Sequence, residues 1–525
     1  MTHRVLYNGP LYPSWLDAID RLRAERGWEP VYLFSDSTVL GADQVESITS
    51  RYPCAVVHER GDAIRGVPAL PLAASPTALD LPVLETMSRF MHPFMTVCQR
   101  CDNRGTFTYR QRLETYHRLA AYWLSALEAQ AIDLVVFHES PHLPHDMALF
   151  ATAKHLGIMT MMMYWTHLPA LCFVREDFAV LPLALRECAA QVEGGASPEP
   201  AIRDEVRCTL ETLSAQEYVP PSYISEQFRR VEKAKAAQPA RRAARGLASP
   251  KKWLRYSAYL YEQAKVFVRN TGPVPQRYLK PLNRRFEDGP MTYREWLSHK
   301  RYARRYTRAL RCAYEAACGP VDLGCSFVYF PLHYQPERTT MPEGGHFEDQ
   351  RLVVDLLSEA LPEGWLLYVR EHPTQLIGDP TLEAERGRSA TFYDDVLRHR
   401  NVRLVSTTVP SWELIDASRG VATLTGTAGW EALVRGKRVL AFGDAWYRWM
   451  EGCSYVPERE ALSEATSLLD AGIPVDRGRL LRQVAAACEI GYPLPADFYR
   501  SPSGEYGEIL AHALGTEHRR FERQG

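Results

Sequence analysis

Two loops carry most of the chemically distinctive residues of this chain: Arg370-Glu371-His372-Pro373 and Thr425-Gly426-Thr427-Ala428-Gly429. Each follows a short apolar run, Leu366–Val369 and Gly420–Leu424, and a third run, Arg438–Phe442, lies just beyond. Apolar runs that break into small or polar residues and alternate with helical spacing predict a parallel α/β sheet. Ligands in such sheets sit beyond the carboxyl ends of the strands. The second loop puts two hydroxyls and two glycines before a helical pattern, Trp430–Arg435. The free N–H groups and positive end of a helix that starts there suit an anion. Arg370 and His372 add charge and hydrogen bonds from the neighbouring loop, and Pro373 fixes its backbone. The pattern predicts a site for a nucleoside mono- or diphosphate. Glu431, in the first helical turn, could accept from ribose hydroxyls or simply favour the helix's positive end. Arg370 could equally be a structural partner of a neighbouring carboxylate.

The motifs argue against NAD binding and against a Walker-type ATPase or kinase. Gly426-Thr427-Ala428-Gly429 lacks the full dinucleotide fingerprint and does not follow the first strand, and the chain has no GxxxxGK[ST] run. A third loop belongs to the same half: His333, Gln335, Glu337 and Arg338 leave the strand Phe327–Leu332, with Gly344-Gly345-His346 after them. They could hold sugar or base, or serve only as a structural loop. In the first half, Ser140-Pro141-His142-Leu143-Pro144-His145-Asp146 follows the buried strand Ile132–Phe137.

The elements that must position these loops fall into two α/β units. Residues 3–9, Pro30–Ser35, Ala55–His58, Ile132–Phe137 and Ile158–Tyr164 read as strands. Arg110 to Gln130 reads as an amphipathic helix with Leu113, Tyr116, Leu119, Trp123 and Leu127 on one face. Gly61 to Arg104 is too weakly periodic to assign. From Ala190 the chain turns helical and basic: Arg229, Arg230, Lys233, Lys235, Arg241, Arg242, Arg245, Lys251, Lys252 and Arg255 face Glu232 alone. Arg301, Arg304, Arg305 and Arg308 repeat the theme. The plain reading is a solvated helical insertion; the functional one is a positive surface for anionic lipid headgroups or an anionic acceptor. A second α/β unit begins near Val321, and after Glu460 the pattern is mostly helical. The expected domains are 1–189, 190–320 for the insertion, 321–490, and a helix in 491–525.

At 525 residues the chain exceeds one core. Apolar content of 46%, charged content of 24% and a formal charge of -1 are those of an ordinary globular protein with no global preference for nucleic acid. Eleven scattered cysteines read as reduced thiols, and Cys98-Gln99-Arg100-Cys101 has no second pair at zinc-ribbon spacing. The first residues have no signal-peptide core, so a cytoplasmic location is expected, with peripheral attachment to the membrane's inner face open.

Two Rossmann-like halves joined by helices resemble the GT-B glycosyltransferase architecture. Phe330–Thr340, Gly344–Gln350, Leu367–Pro373 and Thr425–Gly443 resemble bacterial capsule- and lipopolysaccharide-type polysaccharide biosynthesis proteins, including transferases that use CMP-activated Kdo or sialic acid. The resemblance implies that His372 contacts a donor phosphate, that the second half binds donor, and that the first binds acceptor. It implies a transferase moving Kdo or another nonulosonate from a CMP donor to a surface glycan or lipid-linked glycan. Neither a cofactor nor nucleic acid is expected. An inverting transferase needs a base for the acceptor hydroxyl. Glu139 and His142 are the candidates, with Asp146 read instead as a helix cap. No Asp-x-Asp stands out as a metal-binding pair, so a metal-independent reaction is expected. The rival readings are a nucleotide-sugar 2-epimerase, a CDP-glycerol-type phosphotransferase and a non-catalytic assembly protein.

Overall fold

A computed structural model describes residues 2–9, 11–35, 42–64, 66–69, 77–101, 108–193, 202–214, 292–376, 387–496, 498 and 504–524. The basic run from Arg229 to Arg255 lies outside these residues. Among the described residues twelve strands form two sheets. The amino-terminal sheet has β1 (His3–Asn8), β2 (Trp28–Ser35), β3 (Val56–Glu59), β4 (Leu134–Phe137), β5 (Met159–Trp165) and β6 (Cys172–Arg175). The carboxyl-terminal sheet has β7 (Phe327–Pro331), β8 (Leu366–Arg370), β9 (Val402–Val405), β10 (Gly420–Thr423), β11 (Arg438–Ala441) and β12 (Cys453–Tyr455).

The spatial orders are β3-β2-β1-β4-β5-β6 and β9-β8-β7-β10-β11-β12. Both are the doubly wound order in which connections reverse between the first and fourth strands, opening a crevice there. All pairs are parallel except β5 with β6. The α/β, two-Rossmann architecture expected from the sequence is the one observed. The antiparallel β6 and the three-residue β12 are additions, both too short to give a period-two signal.

Helices cover the sheets for local reasons. Tyr109–Ala129 opens with a capping box, in which Thr108 Oγ1 accepts from the Gln111 N–H and Gln111 Oε1 accepts from the Thr108 N–H. Its buried face, Tyr116, Leu119, Trp123 and Leu127, packs into the first core. The unassigned stretch from Gly61 to Arg104 contains helices Leu81–Arg89 and Met91–Val97. Asp80 starts the first by accepting from the Val83 N–H, and Val83, Met87, Phe94 and Val97 are buried. Packing supplies what the weak periodicity concealed.

The insertion is helical where described, with Leu183–Glu193, Asp204–Ser214 and Tyr293–Ala317. Arg301, Arg304, Arg305 and Arg308 are exposed on the last of these. The chain then returns to the amino-terminal lobe. Cys172 and Tyr492 exchange backbone hydrogen bonds of 3.0 and 2.9 Å, and helix Gly507–Glu522 packs on helix Pro13–Arg26. None of the eleven cysteines is in a disulfide. Among the described residues no helix is long and apolar enough to cross a membrane.

Candidate active site

The carboxyl ends of β7, β8 and β10 open into a cavity of about 390 Å³, within the usual range for small-molecule sites. His333, Glu337, Arg370, Glu371, His372, Pro373, Thr425, Gly426, Thr427 and Glu431 all line it. Three loops separated by up to about a hundred residues therefore meet, as the strand pattern predicted. The sequence did not single out His167, Leu213, Ser411, Trp412 and Arg435, which complete the wall. His167 comes from the loop after β5, so both lobes contribute.

Three imidazoles face this space, and all are held neutral. Burial pushes His372 and His167 down to about 4 and His333 down to about 3, with nearby arginines adding to the effect. Their tautomers follow from their bonds. His372 Nδ1 accepts from the Thr374 N–H (3.3 Å), His333 Nε2 from the Leu424 N–H (3.0 Å) and His167 Nδ1 from Trp446 Nε1 (3.1 Å). The other ring nitrogen of each then carries its hydrogen, so each histidine is a neutral donor. Arg370 supplies the charge: its Nη2 donates to the Thr407 carbonyl (3.1 Å), and its Nε is buried without a hydrogen-bond partner among the described residues.

Helix Thr427–Val434 points its first turn at the same cavity, with Gly426 at its cap. The Thr427 and Ala428 N–H groups have no intrahelical acceptor. Two glycines permit the close packing around this turn. A Cβ on Gly426 would lie 2.7 Å from His333 Cε1, and one on Gly429 would lie 2.3 Å from the Tyr447 hydroxyl. The Thr425 hydroxyl donates to the Thr339 carbonyl (2.7 Å) and so ties two loops together. Glu431 is raised to about 7 by burial.

Three expected donor-binding side chains do other work. Gln335 is buried and does not line the cavity; it donates to the Glu348 carbonyl (2.7 Å) and accepts from Gln350 (3.0 Å). Arg338 turns across to the other lobe. Glu371 reaches the cavity wall, but its fully buried carboxylate is taken by Arg388 at 2.7 and 3.0 Å and by the Tyr393 hydroxyl at 2.8 Å. Arg388 also donates to the His333 carbonyl (2.9 Å). It clamps the His333 and His372 loops from behind, and nothing in the spacer sequence marks it.

Glu139 and His142 are adjacent, with His142 Nε2 3.4 Å from Glu139 Oε1. His142 Nδ1 donates to the Ser140 carbonyl (2.9 Å), so its Nε2 lone pair faces the carboxylate. Burial holds His142 near 4. Burial also raises the Glu139 carboxyl, but the charges of His142 and Arg338 outweigh it and hold the group near 2. Neither side chain lines the cavity. Arg338 joins them to it: its Nε lies 3.1 Å from Glu139 Oε2, and its neighbours Glu337 and Thr339 are in the cavity wall. Glu337 is raised by burial. Asp146 is not the cap of helix Pro144–His155; that position is Leu143, and Asp146 accepts from Asn8 Nδ2 (2.9 Å).

A buried ionic cluster pins the lobes together beside this site. Arg175, at the end of β6, bonds Glu343 (2.8 Å), Ser140 (2.6 Å) and Asp444, and lies 3.9 Å over the Tyr164 ring. The Tyr164 hydroxyl donates to the Asp444 carbonyl (2.8 Å). For metals, one set among the described residues has suitable donors, His3, His518 and Glu522, with ligand atoms within 4.8 Å. His3 opens β1, at the end of the sheet opposite the crevice.

The segment 343–467 matches the family described as capsule polysaccharide biosynthesis protein. No curated protein matches the chain. Among solved structures, the β-Kdo 2,7-transferase KpsC of Thermosulfurimonas dismutans matches with 10% identity and a TM-score of 0.28, covering 87% of this chain and 89% of that one. The UDP-GlcNAc 2-epimerase of Methanocaldococcus jannaschii matches with 10% identity and a TM-score of 0.22, over 98% of this chain and 100% of that one. The carboxyl-terminal lobe thus contains a segment similar to the capsule polysaccharide biosynthesis family.

Proposed function

We propose that the protein is a nucleotide-sugar-dependent glycosyltransferase of surface-polysaccharide synthesis, with a CMP-activated nonulosonate such as Kdo as the favoured donor. The observation that carries this reading is the convergence of Arg370, three neutral imidazole donors and the start of helix Thr427–Val434 on one cavity between two Rossmann lobes. Charge on a departing phosphate develops where these groups stand, so they stabilise it more in the transition state than in the ground state. Arg370 and the helix end supply the positive charge that a metal ion supplies elsewhere, which supports a metal-independent reaction. Glu431 and Trp412 offer the ribose and base a carboxyl and an aromatic face.

On the acceptor side, the His142 Nε2 and Glu139 Oε1 lone pairs lie close enough to share one proton. The acceptor oxygen bonds to the anomeric carbon as the carbon–phosphate oxygen bond breaks. The hydroxyl proton passes to the His142–Glu139 pair, and the electron pair leaves on the nucleotide phosphate. A single displacement of this kind inverts the anomeric centre. The acceptor is read as a glycan or lipid-linked glycan, with the exposed arginines of helix Tyr293–Ala317 turned to an anionic membrane surface.

Thermal-shift titration against CMP, CDP, UDP, GDP and ADP tests the reading on wild type and His372→Ala. A nucleotide at about one hundred times its dissociation constant stabilises by about 2.7 kcal/mol. Stabilisation by CMP that the variant loses is expected. Preference for UDP redirects the assignment to a UDP-sugar transferase or epimerase, and no response to any nucleotide removes it.

A further inference from the structure

Two arginines of the amino-terminal lobe take no part in the site as described. Arg60 directly follows β3, and Arg100 lies in the short turn Cys98–Arg100. Both are partly buried. Arg60 Nε and Arg100 Nη1 are fully enclosed, and neither has a hydrogen-bond partner among the described residues. A guanidinium buried with donors unmet is costly, and proteins retain such groups where a ligand completes them.

Ile64 and Cys101, close in sequence to the two arginines, pack in one buried cluster with Leu143, the neighbour of His142. His142 feels both Arg60 and Arg100. Arg60 also acts on His138 and Asp146, and Arg100 on Glu139 and Glu337. The carboxylates nearby are already engaged. Glu139 is paired with Arg338 at 3.1 Å, and Asp146 accepts from Asn8 and stands 2.9 Å from His145. Glu337 belongs to the wall of the opposite cavity. The donor's own phosphate is met by Arg370 in the carboxyl-terminal lobe. What remains is a second cationic position, next to the His142–Glu139 pair and on the lobe assigned to the acceptor.

We propose that Arg60 and Arg100 form an anion-binding subsite that holds a carboxylate or phosphate group of the acceptor beside His142. This deepens the transferase reading and rests on its acceptor side: the acceptor is an acidic glycan or a phosphate-bearing one, oriented through its charge. Two guanidiniums fix a planar or tetrahedral anion more tightly than one and set the angle at which a neighbouring hydroxyl approaches.

The test uses inorganic phosphate and glucuronate as probes, with CMP as the donor-side control, in thermal-shift and calorimetric titrations. Wild type is compared with Arg60→Gln/Arg100→Gln and with His372→Ala. Wild type is expected to bind at least one anion, and the double variant to bind it roughly tenfold more weakly. The double variant should keep the nucleotide response, and His372→Ala should keep the anion response at this subsite. Because no described hydrogen bond is removed, the unliganded double variant should melt no lower than wild type. The stronger probe identifies the source, glucuronate for an acidic sugar and phosphate for a phosphorylated or lipid-linked acceptor. Equal anion binding by wild type and double variant overturns the proposal, as does a wild type that binds neither probe. A lowered melting point in the unliganded double variant overturns it too, by showing a structural role. Absence of any nucleotide response sinks the transferase reading instead, and leaves the anion result to be read on its own.

Discussion

Replacing Arg175 with Met tests how the lobes are held. The side chain is fully buried, stacks on Tyr164 and joins Ser140 of its own lobe to Glu343 and Asp444 of the other. Methionine keeps much of the volume and the ring contact while deleting the charge. Two carboxylates, each only 5% exposed, then lose a partner. Removing one member of a buried ion pair typically costs about 3–5 kcal/mol. Glu343 keeps Arg338 at 2.7 Å and Asp444 keeps Arg448 at 3.1 Å, which places the expected loss near the lower end, about 3 kcal/mol. Adding Glu343→Gln and Asp444→Asn should restore most of it, because no uncompensated charge remains. Burial already raises the Asp444 carboxyl, so its protonation relieves the single variant at lower pH. The penalty should therefore be larger at pH 8 than at pH 5. Urea unfolding followed by tryptophan fluorescence, with small-angle scattering to read lobe separation, measures both effects. A loss below about 1 kcal/mol, or a triple variant no more stable than the single, would refute the account.

Two further outcomes follow from the site. Gly426→Ala puts a Cβ 2.7 Å from His333 and should dislodge the imidazole from the Leu424 N–H, costing about 1–3 kcal/mol and weakening nucleotide binding; an unchanged calorimetric affinity would count against this packing. Acid should weaken the fold early. His58, His142, His167 and His372 have folded values near 4 and His333 near 3, against about 6.5 unfolded, so as pH falls below about 6.5 the unfolded chain takes up protons first. Stability is then lost between about 6.5 and 4, on the order of 1–2 kcal/mol per histidine by pH 5. Glu348 and Glu431, raised to about 7, act oppositely as pH falls from 7 toward 4.5, but are outnumbered. A melting temperature that is flat or rising from pH 7 to 5 would overturn this balance.

The carboxyl-terminal half of the candidate site was legible because its signal is local. A strand end, a His-Pro pair and a Gly-rich helix start each show within a dozen residues, and the parallel topology then brings them together. What stayed hidden depends on contacts distant in sequence. Arg175 pairs with Asp444 across 269 positions, and Arg388 sits in a spacer with no periodicity. Arg388 owes its role to Glu371, which the sequence offered as a ligand residue and the fold turns into a brace. His167 lines the cavity only because the other lobe closes over it. The helices between Gly61 and Arg104 take their stability from burial against Pro144–His155 and, to a lesser extent, Tyr109–Ala129, which no local pattern records.

Helix Gly507–Glu522 belongs in space to the lobe that begins the chain. During synthesis the first sheet leaves the ribosome early, yet the surface of helix Pro13–Arg26 stays uncovered until some five hundred residues have followed. The carboxyl-terminal sheet, contiguous from β7 to β12, has no such wait. A nascent chain can therefore close its second lobe before its first, with an apolar face in need of shelter meanwhile. For the same reason, a cut between Ser214 and Thr292 would not separate the amino-terminal lobe from the carboxyl-terminal lobe. It would leave each fragment holding part of the other's fold, able to reassemble as a complementing pair.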